Sequence, residues 1–413
     1  MLEFNPPYSP PEEANPAARF QLWAFLPRPE YASARLGRAI LGSFLLPAPT
    51  ITREATILGM SYLGASRLSS ISPFYGWQNI TAPVTEISYS RGVQYDGLTS
   101  KADTGTLEAT IYNSLDPRAS SLYMGVPIIL YDTAARVRLY TGTIKKLSTQ
   151  PSKTGSYTVS FQAVDLLAEL SSITKYQETS PMPTRWETIC RKLLQDYPLH
   201  VDTTGTDGSQ PLIGSLVKES SLAEYIDIYC NTAGASWYIG KDNQIYLTTA
   251  RFSFPPTLSI SDTADYSPVE LDAAFDTSQI ISVLEISNND GEKNEQGEWQ
   301  STTTSAKVVN STLRESYGEN TANIETAGAN TNAVRDFYKK KLTSATAEQV
   351  IKSATFRLIA DGRALTDIED FSSLEILDTI AAEYRNAKSL LRIGRISANI
   401  SPLNASITLD FIY

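Results

Sequence analysis

The 413-residue chain contains very few of the residues from which enzyme and metal sites are usually built. It has one histidine, His200, and two cysteines, Cys190 and Cys230. A serine or cysteine hydrolase normally needs a histidine base beside its nucleophile, and zinc sites need clusters of His and Cys. No glycine-rich loop ending in Gly-Lys-Ser/Thr is present either. The sequence therefore predicts no catalytic, cofactor-binding or metal site, with His200 a surface or turn residue.

Disulfide and membrane classes are equally poorly supported. Two cysteines cannot staple a chain of this length, so we expect buried, reduced thiols in a protein that folds in the cytoplasm. Met1–Tyr8 has no basic segment followed by an apolar run, which argues against a secretory signal. The most apolar early stretch, Ala39–Pro47, is much shorter than the roughly 20 residues that cross a bilayer. We expect a soluble protein without a membrane anchor.

Charge argues against direct binding of nucleic acid. Asp and Glu outnumber Lys and Arg by 45 to 35, the formal charge is −10, and no stretch concentrates basic residues. Binding to phosphates would need such a basic patch.

Two acidic segments are the remaining candidates for chemistry. Asp367, Glu369 and Asp370 could form the carboxylate pair of a peptidoglycan-cleaving enzyme, but the flanking residues are more typical of a solvated loop. Asp202–Gly208 resembles a calcium loop only superficially, because it lacks the later bidentate glutamate.

The chain divides into four predicted parts. Residues 1–80 are rich in proline, which indicates either a small irregular subdomain or an arm that docks on a neighbouring subunit. We expect that removing them spares the fold of the rest. Residues 81–175 show period-two alternation and a hairpin between Val126–Tyr131 and Val137–Leu147, which predicts an antiparallel β domain.

Residues 176–255 are predicted to form a smaller α/β unit. Thr184 and Glu187 have the spacing of a capping box before one helix, and a second helix begins near Ser221 with Glu224 and ends at Gly234. Trp237–Ile239 and Gln244–Leu247 follow as a hairpin.

Residues 256–413 return to β structure, with a long loop or hairpin tip over Asn288–Ser305 and a helix over Asn332–Leu342. Strands are predicted at Ala354–Leu358, Thr379–Tyr384 and Leu391–Ile400, and a last one ends at Tyr413. The fold class is thus mainly β, with two antiparallel barrel or sandwich domains flanking the α/β unit.

The order of these features resembles the tail hub proteins of bacteriophages and the related spike hubs of contractile injection systems. The motifs that carry the resemblance are Ile87–Gly92, Thr104–Ile111, Asn113 with Asp116 and Pro117, Gly125–Ile128, Leu139–Ile144, Val159–Leu170, Gly394–Ile396 and Ile400–Pro402. They encode strands and turns. The resemblance covers most of residues 84–413 and not the first 80.

The resemblance implies a non-enzymatic virion protein at the tail tip, made in the host cytoplasm. It implies a homotrimer whose two tube-forming β domains per chain make a ring of six around a channel for DNA. The implied partners are the distal tail protein, the tail tube or tape measure protein, and spike or fibre proteins. A hexameric distal tail adaptor and a peptidoglycan-active enzyme remain alternatives.

Charge also predicts the character of the channel. A wall rich in Lys and Arg would hold DNA by its phosphates, so we expect a neutral to acidic lumen lined by alternate residues of strands within 84–165 and 350–413. Arg136, Arg138, Lys145 and Lys146 are then expected at subunit contacts or on the outer face. An acidic excess that serves only solubility is the alternative.

Overall fold

The computed structural model is built around one long, mainly antiparallel sheet. The residues it describes are 19–27, 75–80, 84–95, 100–113, 122–151, 157–178, 183–204, 208–249, 255–261, 270–274, 280–293, 295, 299–343, 350–361, 363–364, 368–385 and 387–412. Several segments considered above lie outside this set: most of residues 1–80, the Asp116–Pro117 turn, and Asp367.

The proline-rich N-terminal region contributes two strands to the sheet, β1 (Phe20–Pro27) and β2 (Tyr75–Asn79). β1 pairs with β2 on one side and with the later strand Pro127–Asp132 on the other. Leu22 and Ala24 are fully buried in the main core. We expected that residues 1–80 could be removed without affecting the fold of the rest. Part of this region is instead a strand of the main core.

The first block of the sheet follows. Its strands are β3 (Val84–Tyr95), β4 (Ser100–Asn113), β5 (Pro127–Asp132), β6 (Val137–Pro151) and β7 (Tyr157–Val164). They lie side by side in the order β3-β4-β7-β6-β5, all antiparallel. The alternating burial of β7 matches its alternating sequence, and the predicted hairpin is confirmed as β5–β6.

The α/β unit comes next. Its elements are α1 (Leu166–Ser172), β8 (Thr174–Glu178), α2 (Trp186–Leu193), β9 (Leu199–Asp202), β10 (Val217–Ser221), α3 (Leu222–Ala233), β11 (Ser236–Ile239) and β12 (Ile245–Thr248). It has its own apolar core, which includes Trp186, Cys190, Tyr229 and Trp237.

Both helices predicted in this unit are present, although one cap was predicted wrongly. α3 begins with the reciprocal Ser221–Glu224 capping box and ends at Gly234 in the left-handed conformation. α2 has Arg185 as its N-cap, and no side chain caps it. Thr184 instead pairs through its backbone with Ile213, so its position is fixed by a β-bridge.

The C-terminal region supplies the second block of the sheet. Between two of its strands lies an insertion with a three-stranded sheet of its own. The elements are β13 (Leu258–Ser261), β14 (Glu270–Ala274), β15 (Val283–Lys293), β16 (Trp299–Val309), α4 (Ser311–Tyr317), β17 (Thr321–Thr326), α5 (Thr331–Thr343), β18 (Val350–Ala360), β19 (Arg363–Ala364), α6 (Ile368–Ser373), β20 (Thr379–Tyr384), β21 (Ala387–Ile400) and β22 (Ala405–Ile412). The Asn288–Ser305 segment is part of the long hairpin β15–β16, and α5 confirms the predicted third helix.

The two blocks repeat one topology. In the second block β14, β18, β20, β21 and β22 lie in the order β14-β18-β22-β21-β20, again antiparallel. In both blocks the five strands, numbered by their order in the chain, lie in the sheet in the order first, second, fifth, fourth, third. β21 also pairs with β3, so the blocks join edge to edge and share the main apolar core. The prediction of a mainly β fold is confirmed, and the four domain boundaries stay a prediction.

Candidate functional site

One side of the long sheet is covered by polar side chains across both blocks. We call this surface the polar face and define it by three rows of cross-strand neighbours. The rows are Glu270, Thr355, Thr408, Ser397, Ser90 and Thr106; Arg357, Ser406, Asn399, Ser88, Glu108, Gln162 and Lys146; and Glu86, Thr110, Ser160 and Ser148. All of these residues are half-buried or exposed.

Neighbours within a row hydrogen-bond to one another across strands. The Thr355 and Thr408 hydroxyls lie 3.0 Å apart, and Gln162 Nε2 donates to Glu108 Oε1 at 3.0 Å. Such cross-strand pairs stabilise a sheet. Because strands alternate their side chains between two sides, the apolar residues between these polar ones fill the main core.

The polar face mixes acidic and basic groups. Glu86, Glu108 and Glu270 are exposed, as are Arg357 and Lys146. Lys146 belongs to this surface because it is in register with Gln162, and the expected place of Lys146 at a subunit contact or on an outer face stays a prediction. Short hydroxyl and amide side chains predominate between the charges, so the surface has no concentrated field of either sign.

A buried charged junction lies where the two blocks meet the α/β unit. Arg91 of β3 forms an ion pair with Glu375, and its Nη2 donates to the Leu374 carbonyl at 3.1 Å. Arg91 is almost completely buried, and burial lowers the pKa of its guanidinium. Asp378 accepts from the Glu375 backbone N–H at 2.8 Å, and burial raises the pKa of Asp378 to about 6.

The turn between β11 and β12 enters this junction. Lys241 Nζ donates to the Ser373 carbonyl at 2.8 Å, at the end of α6, and burial lowers the pKa of Lys241 to about 8. The Lys241 carbonyl accepts from Thr141 of β6 at 2.8 Å. Asn243, in the left-handed conformation, accepts from the Leu166 N–H at the start of α1. One turn therefore contacts both blocks and a helix of its own unit.

A second buried acid connects β4 to α1. Asp165 accepts from the Gly105 N–H at 2.7 Å and caps α1 through the Leu167 N–H at 3.0 Å. Burial raises its pKa to about 7, against the lowering effect of these bonds. A Cβ atom on Gly105 would lie 2.5 Å from Asp165 Oδ2. Gly105 is thus required by a close approach within β4, whereas Gly125 has the positive φ expected of a turn.

The residues considered for chemistry that the structure describes lie in ordinary structural positions. His200 is exposed on β9 beside Tyr246. Cys190 and Cys230 are buried free thiols, as predicted for these residues. Asp202 accepts from the backbone and hydroxyl of Thr204.

Three further observations concern metals, the acidic segment and membrane spans. Among the described residues no group of three His, Cys, Asp or Glu side chains could hold a metal ion. Glu369 and Asp370 lie in α6, so the prediction of a loop there is wrong. No helix in the described ranges has the length and apolar composition of a membrane span.

The sequence matches no protein-family model and no curated protein. Its fold, however, is similar to solved tail proteins. A tail protein from Neisseria meningitidis MC58 has 11% identity and a TM-score of 0.55, over 82% of this chain and 94% of that one. The 43 kDa tail protein of prophage MuSo2 from Shewanella oneidensis has 11% identity and a TM-score of 0.54, over 82% and 95%. The predicted fold and its resemblance to tail proteins are therefore confirmed at the level of fold.

Proposed function

We propose that this chain is a structural, non-enzymatic protein of a bacteriophage tail, the hub at the tail tip that continues the tail tube. The fold that it shares with proteins described as tail proteins supports this proposal. The lone, exposed His200 is consistent with a role that needs no catalytic base.

The observation that carries the proposal is the repeat of one five-strand topology within the chain. The blocks β3–β7 and β14–β22 have the same sheet order and are joined through β21 and β3. A closed ring of such blocks has no exposed strand edges, and three chains supply six blocks. We therefore propose a homotrimer that presents pseudo-sixfold symmetry to a tail tube.

In this ring the polar face forms the wall of the lumen. Its Ser, Thr, Asn and Gln side chains offer phosphates no dense positive charge, and the exposed Glu86 and Glu108 repel them. DNA then passes without being held. The ring contacts the distal tail protein, the tube or tape measure protein and a spike or fibre at its two ends.

The mass of the assembled particle tests the proposal. Three chains of 45.3 kDa give about 136 kDa and six give about 272 kDa, so native mass spectrometry separates a hub from a hexameric distal tail adaptor. Antibody labelling of intact tails, viewed by electron microscopy, should mark the tip. Labelling along the tube or on the capsid would refute the assignment.

A further inference from the structure

Within one chain the second block joins the first through β21 and β3. The first block has the equivalent strand, β6, but the described part of the chain contains no partner for it in the same position. In the second block β21 pairs with β20 through residues 387–392 and with β3 through residues 395–400. In the first block β6 pairs with β5 only through Val137–Thr143. The Ile144 backbone still bonds to Gly125 and Val126, but no strand in the described part of the chain pairs with the outer edge of β6 over residues 145–151.

A matching edge lies at the other end of the sheet. β14 occupies in the second block the position that β3 has in the first, and among the described residues it pairs only with β18. β6 and β14 are thus the equivalents of β21 and β3, which already pair within the chain.

From these equivalences we propose that β6 of one copy pairs antiparallel with β14 of the next copy, head to tail around the ring. This inference rests on the proposed ring and specifies the strands that close it. A heterologous contact of this kind closes into a ring when the rotation permits. Backbone hydrogen bonds would satisfy both edges.

The bulges fix the register. β6 is bulged between Ile144 and Lys146, and β21 is bulged between Ile393 and Arg395, so Lys146 corresponds to Arg395. Four residues further along their strands, Gln150 corresponds to Asn399.

The rows that start at the bulge identify the partner. From Lys146 the row runs through Gln162 and Glu108 to Ser88, and from Arg395 it runs through Asp410 and Ser353 to Asp272. These steps are all cross-strand partners. Ser88 thus corresponds to Asp272.

Because Asn399 lies opposite Ser88, the geometry points to Gln150 of one copy opposite Asp272 of the next. Gln150 and Asp272 are both exposed, so this register joins the polar faces of neighbouring copies without turning an apolar row outward.

Disulfide trapping tests the register on the full-length chain. The variant with Gln150→Cys and Asp272→Cys should run, without reductant, as a covalent trimer for about half or more of the protein, because opposed residues lie within disulfide reach. Reductant should return it to one chain. The buried Cys190 and Cys230 do not compete.

Two matched variants complete the test. Ser88→Cys with Asn399→Cys places the same pair inside one chain and should give an intramolecular disulfide of unchanged mass. Gln150→Cys with Glu270→Cys is slipped by two residues and should yield less than about a tenth as much covalent trimer. Equal or greater trapping in the slipped variant overturns the proposed register.

The unaltered protein provides an independent measurement. On assembly, hydrogen exchange should slow at least tenfold in residues 147–150 and 271–273, and dissociation should reverse this. A three-copy particle with neither trapping nor slowed exchange refutes the strand pair but leaves the hub. A chain that never forms a three-copy particle refutes both.

Discussion

Truncating Glu375 to alanine should destabilise the protein more than any other single change at the charged junction. The substitution removes the carboxylate that pairs with Arg91, whose side chain is only 5% exposed. Arg91 would keep the Leu374 carbonyl but lose its counter-charge, and its Nε has no partner among the described residues.

The expected magnitude follows from burial. Removing one partner of a fully buried ion pair costs about 3–5 kcal/mol, because the other charge stays desolvated. The Glu375 side chain is 19% exposed, so we expect the lower end, about 3 kcal/mol. Arg91→Met should cost less, about 1–2 kcal/mol, since Glu375 still accepts from the Ile376 and Lys241 N–H groups. The double substitution of Arg91→Met with Glu375→Ala should then cost less than the two single costs together.

Urea unfolding followed by tryptophan fluorescence measures these differences, since Trp186 and Trp237 are buried in the core of the α/β unit. Glu285→Ala is the matched control, because the Glu285–Lys307 pair is about half exposed on both sides and should change stability by less than about 0.5 kcal/mol. A cost below about 1 kcal/mol for Glu375→Ala, or strict additivity in the double variant, would refute the reasoning.

Three further predictions concern pH, the N-terminal region and catalysis. The pKa of Asp165 is about 7 in the folded protein and about 3.9 in an unfolded chain, so its contribution to stability is complete below about pH 4 and is lost as the pH rises to 7. Asp165→Asn should therefore reduce the fall in the urea midpoint between about pH 5 and pH 8, and an unchanged fall would contradict this. Deleting residues 1–80 should give insoluble protein, because it removes the buried Leu22 and its strand. Deleting residues 1–18 should leave soluble protein. Equal solubility of both truncations would argue against a core role for β1. Purified protein should leave peptidoglycan intact in a zymogram, and a cleared band lost on changing Glu369 and Asp370 would identify an enzyme.

Local patterns predicted much of the fold. Ser221, Glu224 and Gly234 mark the two ends of α3 in the sequence because capping depends on residues within one turn. The β5–β6 and β11–β12 hairpins follow from alternating segments separated by short turns. In each case the determining contacts lie within about 20 residues of one another.

The long-range features could not be predicted in this way. Arg91 and Glu375 are 284 positions apart, and neither stands out in its own segment. β1 is enclosed by prolines, whose presence argued against a central strand, yet Pro27 stands at its end, where the lost N–H matters least. The cap expected from Thr184 is absent because α2 begins one residue later, with Arg185 at its N-cap, while Thr184 is held in a β-bridge to Ile213. The repeat of the two blocks is a property of pairing order, which no single segment encodes.

The turn at Lys241 has a mechanical consequence. It connects β6 of one block to the end of α6 in the other through separate hydrogen bonds. The Arg395–Asp103 ion pair reaches across β3 and connects β21 to β4. These cross-links act together with the β21–β3 strand pair, so the two blocks of one chain resist separation and move as one stiff unit. In the proposed ring of three copies, widening would therefore occur at the three joints between chains, and the opened channel would become triangular although its resting wall has six similar blocks.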